Sequence, residues 1–153
     1  MIRFHGNPQR ACLWHLGALE AARLVASWGD RRVAGVLRAL RASARSHLES
    51  PWSSQCLDRG MAVAGELAKM YHLDGRHTGN DALYREADRW YRLALAGWGA
   101  PARSHALRFY RAEALYHADG CRAAAPLYEQ VAAEAGRFAK EAAKNTLWCA
   151  RAR

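Results

Sequence analysis

Lysine is nearly missing from this chain, and so are proline, the β-branched residues and any long apolar run. Of 23 basic residues only Lys69, Lys140 and Lys144 are lysine. Proline, which removes a backbone donor and clashes with the preceding helical turn, occurs only four times, so long stretches are free to be helical. The scarcity of Val, Ile and Thr argues against a sheet. No stretch approaches the roughly 18 apolar residues of a membrane span. The opening "MIRFHGNPQRACLWHLGALEAARLV" is divided by Arg10, His15 and Glu20 and so lacks the apolar centre of a usual signal peptide. Cys12, Cys56, Cys121 and Cys149 share no CxxC or other close spacing. Four thiols allow three pairings, but with no secretory context the expectation is small buried thiols in a reducing compartment. That points to a cytoplasmic protein.

Alanine and arginine fill the space these absences leave. Hydrophobic residues make up 51% of the chain, yet mean hydropathy is −0.34, because so many of them are alanine. Alanine is the strongest helix former and lets helices approach closely. The composition predicts an all-α protein, and 153 residues are enough for one domain with a real core. The net charge of +9 is spread as +5 over residues 1–50, 0 over 51–100 and +4 over 101–153. It permits an acidic partner or nucleic acid without concentrating in a basic tract.

Periodicity and punctuation predict about seven helical segments. The first runs from about Pro8 to Trp28 and stops at Gly29. Asp30 caps the second, whose stripe is Val33, Val36, Leu37, Leu40, Ala44 and Leu48. Pro51, suited to a first helical turn, opens a third that runs to about Leu73, and "DGRHTGN" follows as a polar connection. Asn80 or Asp81 caps a fourth with Leu83, Ala87, Trp90, Tyr91, Ala94, Leu95 and Trp98 on its inner face, stopped by "GWGAP". The fifth spans about Ala102 to Ala118, the sixth begins at Cys121 and ends near Gly136, and "RFAKEAAKNTLWCARAR" is the seventh. Short connections between amphipathic helices imply antiparallel neighbours. Pro126 falls either inside the sixth helix or, if that helix starts late, in its first turn.

The stretch "RAEALYHADGCRAAAPLYEQVAAE" carries a repeat signal. Ala112, Leu115 and Tyr116 share one helix face, Gly120 ends the turn, and Ala124, Tyr128 and Val131 share the next face. Two helices cross closely where both contribute a small residue, and a tyrosine fills the wider gap beside them. This resembles a tetratricopeptide repeat (TPR), with Ala112, Ala124 and Tyr128 at the small, small and aromatic positions of the motif. Ala68 and Tyr71 before "LDG", then Ala87, Tyr91 and Ala94, repeat the arrangement with seven extra residues between Gly75 and Ala87. Seven residues are close to two helical turns and return the stripe to its face. "YREADRWYRLALAGWGAPARSHALRFYRAEALYHADG" looks like bacterial TPR scaffolds. The resemblance covers about residues 64–134. It implies antiparallel helix pairs stacked as a short α-solenoid in one 1–153 domain. Residues 1–50 would be a degenerate pair, 51–100 a pair with a lengthened second helix, 101–136 the best match and 137–153 a terminal helix.

No residue pattern points to chemistry. None of the seven histidines has the HxxxH or HExxH spacing that sets two imidazoles on one metal, so no metal or other cofactor is expected. Arg41 with His47, and Arg111 with His117, share a separation found in some helical ribonucleases, but two occurrences in one arginine-rich chain carry little meaning. No Ser, Cys or Thr has a base and an orienting group nearby, and the expectation is a protein that is not an enzyme. Arg31, Arg38, Arg41 and Arg45 lie on one helix face. They form either a basic patch for phosphates or an acidic partner, or simply a solvated face without the aromatics a nucleic-acid groove wants.

In a TPR solenoid the first helix of each pair lines a concave surface that takes peptides or partner helices. The resemblance places Ala106, Phe109, Tyr110, Glu113 and His117 on or near that surface. Phe109 and Tyr110 are neighbours, so at least one points away from the main core. Ala106, Phe109 and Glu113 stand where the family's chaperone-binding members carry the basic and asparagine residues that clamp a C-terminal carboxylate. The expected function is a non-catalytic scaffold or adaptor for a protein or peptide partner. The alternative is a basic nucleic-acid adaptor using the Arg31–Arg45 stripe. Leu147 and Trp148, on a last helix without a polar cap, suggest self-association.

Overall fold

The computed structural model describes residues 51–96 and 101–152, together with Arg10, Leu13 and Gly17. Within these lie five helices: α1 (Pro51–Thr78), α2 (Asp81–Leu95), α3 (Pro101–Asp119), α4 (Cys121–Ala133) and α5 (Ala139–Arg151). No strand occurs among the described residues. Apart from Arg10, Leu13 and Gly17, which are helical, the first two segments expected from the sequence and the degenerate pair over 1–50 lie outside them, as does the whole Arg31, Arg38, Arg41 and Arg45 stripe. Contacts divide the chain into two compact units, Met1–Ala64 and Gly65–Arg153, with the division inside α1. In the first unit Met61, Val63 and Ala64 are buried. The candidate site belongs wholly to the second.

The helix ends follow local chemistry. Asn80 caps α2, its Oδ1 accepting from the Ala82 N–H at 2.9 Å. Gly79 and Gly120 adopt φ of +67° and +79°, a left-handed backbone that glycine enters without a Cβ penalty. Pro51 and Pro101 each occupy a first helical position, where the missing N–H costs nothing. Pro126 lies inside α4, five positions after Cys121 and on the exposed side.

One expectation needs correction. "DGRHTGN" is not a polar connection, because α1 continues through Gly75 to Thr78 before Gly79 stops it. The extra length therefore extends the first helix of this pair, and α2 is 15 residues long. Packing explains why Gly75 is tolerated there. The Tyr84 ring of α2 lies flat against it, and an added Cβ would sit 3.1 Å from Tyr84 Cγ.

Consecutive helices pack antiparallel, as paired residues show. Gly75 meets Tyr84, while His72 reaches Tyr91. Arg85 meets Asp119, while Asp88 meets Arg111 at 2.6 Å. Glu113 meets Tyr128, while Arg108 meets Glu134. In each pair one number rises as the other falls. At the crossings Ala68, Ala87, Ala94, Ala112 and Ala124 are fully buried beside Tyr91, Tyr128 and Val131. Alanine at the crossing and a large ring beside it fill the space at native density.

The last turn is held by a polar cluster. Phe138 N–H donates to His105 Nε2 at 3.1 Å, so the imidazole presents a proton at Nδ1 to Glu134 Oε2, also 3.1 Å away. Arg108 Nη2 donates to the same oxygen at 2.8 Å. Burial opposes the charge on Glu134, but the Arg108 and His105 hydrogen bonds outweigh it and hold the carboxyl below its ordinary range. Gly136 lies directly against the His105 ring and leaves no room for a side chain.

Candidate partner-binding groove

The expectation of four free thiols does not hold for α4 and α5. Cys121 and Cys149 form a disulfide, with Cα atoms 5.1 Å apart. Neither composition nor spacing announces that pairing. Antiparallel packing creates it, by bringing the first residue of α4 beside the last turn of α5. The bond fixes α5 on the stack, and Cys149 also lines the cleft described next.

Three clefts lie along the second unit. The first, about 300 Å³, is lined by Lys69, His72, Leu73 and Arg76 of α1, Tyr91 of α2 and Tyr110 of α3. The second, about 470 Å³, shares His72, Arg76 and Tyr110 with it and adds Tyr84, Phe109, Glu113 and His117. The third, about 530 Å³, shares Glu113 and His117 with the second and extends over α5 to Lys144, Asn145 and Trp148. Shared walls make them one groove. The alternate helices α1, α3 and α5 supply nearly all of it, with α2 and α4 contributing only Tyr84, Tyr91 and Tyr128.

Four of the five residues placed on this surface by the resemblance line the middle cleft: Phe109, Tyr110, Glu113 and His117. Ala106, half-buried, does not line any of the three. Phe109 contributes from beneath. It is 7% exposed and stacks on Phe138 at 4.5 Å with the rings nearly parallel. Tyr110 is half-buried with Lys69 Nζ 5.9 Å over its ring, and His117 is exposed with its ring stacked on Tyr84 at 4.9 Å.

Glu113 is the most constrained of the four. Its Oε1 accepts from Tyr128 OH at 2.5 Å and from Asn145 Nδ2 at 3.0 Å, tying α3 to α4 and α5. Burial, together with the Glu113 carboxylate, raises the Tyr128 hydroxyl well above the ordinary phenol range, so it stays a donor. At the other end His72 shares a 3.2 Å hydrogen bond with Tyr91 OH. Burial first, then His117 and Arg76, lowers His72 from 6.5 to about 4, so the ring is neutral near pH 7.

The remaining chemistry-bearing pairs do not converge. Arg111 turns to Asp88 on α2 while His117 faces Tyr84, so that pair is not a joint site. Among the described residues no group of three or more His, Cys, Asp or Glu side chains is placed to hold a metal ion. No described helix is long and apolar enough to cross a membrane.

The fold and groove define a class: among the described residues the structure is all-helical, with consecutive helices packed together and alternate helices lining an open channel. No family model, curated protein or solved structure matches the chain.

Proposed function

We propose that residues 65–153 act as a short TPR-like α-solenoid that holds a segment of another protein in this groove, without catalysis. The observation that carries the reading is the merging of three clefts into one channel walled by α1, α3 and α5. Alternate helices face the same way in a stack of antiparallel pairs, and that is where such stacks carry extended binding surfaces. The channel is walled by tyrosines, histidines and Trp148, and tyrosine and tryptophan supply large contact area at low entropic cost.

Leu147 and Trp148 are 63% and 60% exposed, a large apolar edge on the last helix. Self-association through this edge competes with partner binding for the same side chains. The chain's charge of +9 weighs against two copies meeting face to face, and sedimentation at high concentration decides the point. The Cys121–Cys149 bond removes one of the two grounds for a cytoplasmic location.

The test is capture of partners from the source cells, followed by calorimetry with each purified candidate. Tyr110→Ala and Trp148→Ala should weaken binding by about tenfold or more, while Arg122→Ala, exposed on α4 and outside the three clefts, should not. Equal effects from all three substitutions contradict the reading.

A further inference from the structure

We infer that the occupant of the groove is an acidic segment of a partner protein, with its carboxylates at the α1 end and a large apolar side chain at the α5 end. This inference rests on the groove reading above and adds the chemistry of the occupant.

On α2 and α3, Arg85, Arg89, Arg108 and Arg111 each meet a carboxylate: Asp119, Glu86, Glu134 and Asp88. The cations of the first cleft, Lys69 and Arg76, have no carboxylate within 4 Å among the described residues. Lys69 instead lies over the Tyr110 ring. Among the described residues no acidic side chain lines that cleft, whose other walls are His72, Leu73, Tyr91 and Tyr110. Two cations without a carboxylate partner in one cleft, Lys69 over the Tyr110 ring and Arg76 beside it, suit an anion, because a partner's carboxylates gain charge-assisted contacts without displacing an existing pair.

The far end is built differently. Glu141 and Lys144 approach each other at 3.9 Å, while Leu147 and Trp148 leave most of their surface to solvent. An apolar anchor gains most there. Between the two ends stands Glu113, held by Tyr128 and Asn145. Its fixed negative charge repels a uniformly anionic strand, so the groove favours a segment whose charge is confined to one end over a polynucleotide backbone. A second copy of this chain, at +9, lacks the required surplus of acid. A channel crossing three helices is roughly 20 Å long at ordinary spacings, matching a helical segment of about 14 residues.

The test uses the full-length, oxidised protein and fluorescence anisotropy of labelled amphipathic peptides of about 14 residues. One has glutamates over one half and leucines over the other. The second has glutamine for every glutamate, and the third has lysine. An oligothymidylate of similar length is the nucleic-acid arm. The glutamate peptide should bind about tenfold tighter than its glutamine version at low salt and lose that advantage as salt rises. Lys69→Glu with Arg76→Glu should erase or reverse the difference between the two peptides. Trp148→Ala should weaken both. All three positions are exposed, and circular dichroism verifies that the variants fold.

Equal affinity for the glutamate and glutamine peptides, with sensitivity to Trp148→Ala, overturns the acidic occupant and leaves the groove reading standing. Preference for the lysine peptide also overturns it. Tighter binding of the oligothymidylate, lost in the Lys69 and Arg76 variant, assigns the cations to nucleic acid and overturns both. Failure of every probe to bind overturns the acidic occupant, and the groove reading is then judged by the partner-capture test alone.

Discussion

The Tyr128 hydroxyl donates to Glu113 Oε1 at 2.5 Å, and that bond joins the packing of the stack to its groove. Tyr128 is 1% exposed and belongs to the core, whereas Glu113 lines two of the three clefts. A residue that fills the gap between helices thus also sets the position of the one carboxylate that lines the middle cleft among the described residues.

Removing that donor should be felt in stability. Tyr128→Phe leaves the half-buried Glu113 with Asn145 as its remaining donor, and a loss of about 1–2 kcal/mol is expected in urea denaturation. Glu113→Gln keeps an acceptor oxygen for both partners and should cost less. The reverse ranking would contradict the role given to the bond.

The disulfide closes a segment with a sequence separation of 28 residues. Reduction, or Cys149→Ser, should lower stability by about 3–4 kcal/mol through the freedom restored to the unfolded chain. Thiol labelling after denaturation without reductant should leave Cys121 and Cys149 unmodified. Ready labelling of both would remove the bond from the account.

Gly136 has an ordinary backbone, so its constraint is contact with His105. His105 is 4% exposed and held by Glu134 and Phe138, so it has no room to retreat. Gly136→Ala should cost about 2 kcal/mol or more by overpacking, with loss of the Phe138 N–H protection in hydrogen exchange. Unchanged stability would mean that the turn gives way freely.

Acid should weaken the fold in a defined window. His72 titrates at about 4 in the folded chain against 6.5 when free, so between these values the unfolded chain binds the extra proton. The contribution is complete above about pH 6.5 and is lost as pH falls towards 4, on the order of 3 kcal/mol in all. Glu134, with its carboxyl held low, acts in the same direction at lower pH. His72→Gln should flatten the upper part of the urea midpoint profile, and an unchanged profile would place the sensitivity elsewhere.

Much of the stack was legible because helix formation and close crossing are local matters. The alanine and tyrosine spacing around Ala112, Ala124 and Tyr128 marks positions that are fully buried, and Gly120 sits where the chain turns. Phe109, Tyr110, Glu113 and His117, which only the resemblance grouped on one surface, share one helix and line the middle cleft. Their neighbours His72, Arg76 and Tyr84 were not legible, since only helix packing brings α1 and α2 to α3. The Cys121–Cys149 bond escaped for the same reason. Gly75 was misread as a break because a glycine inside a helix is costly, and only the Tyr84 ring reveals the compensation.

The groove reading meets its most direct test in site-specific photo-crosslinking in the source cells. A crosslinking residue is placed at His117, in the shared wall of two clefts, or at Glu129, exposed on α4 and outside all three. The account predicts an adduct to a defined partner segment from position 117, absent from position 129 and diminished by Trp148→Ala. Adducts of equal yield from both positions, or from position 129 alone, would contradict it.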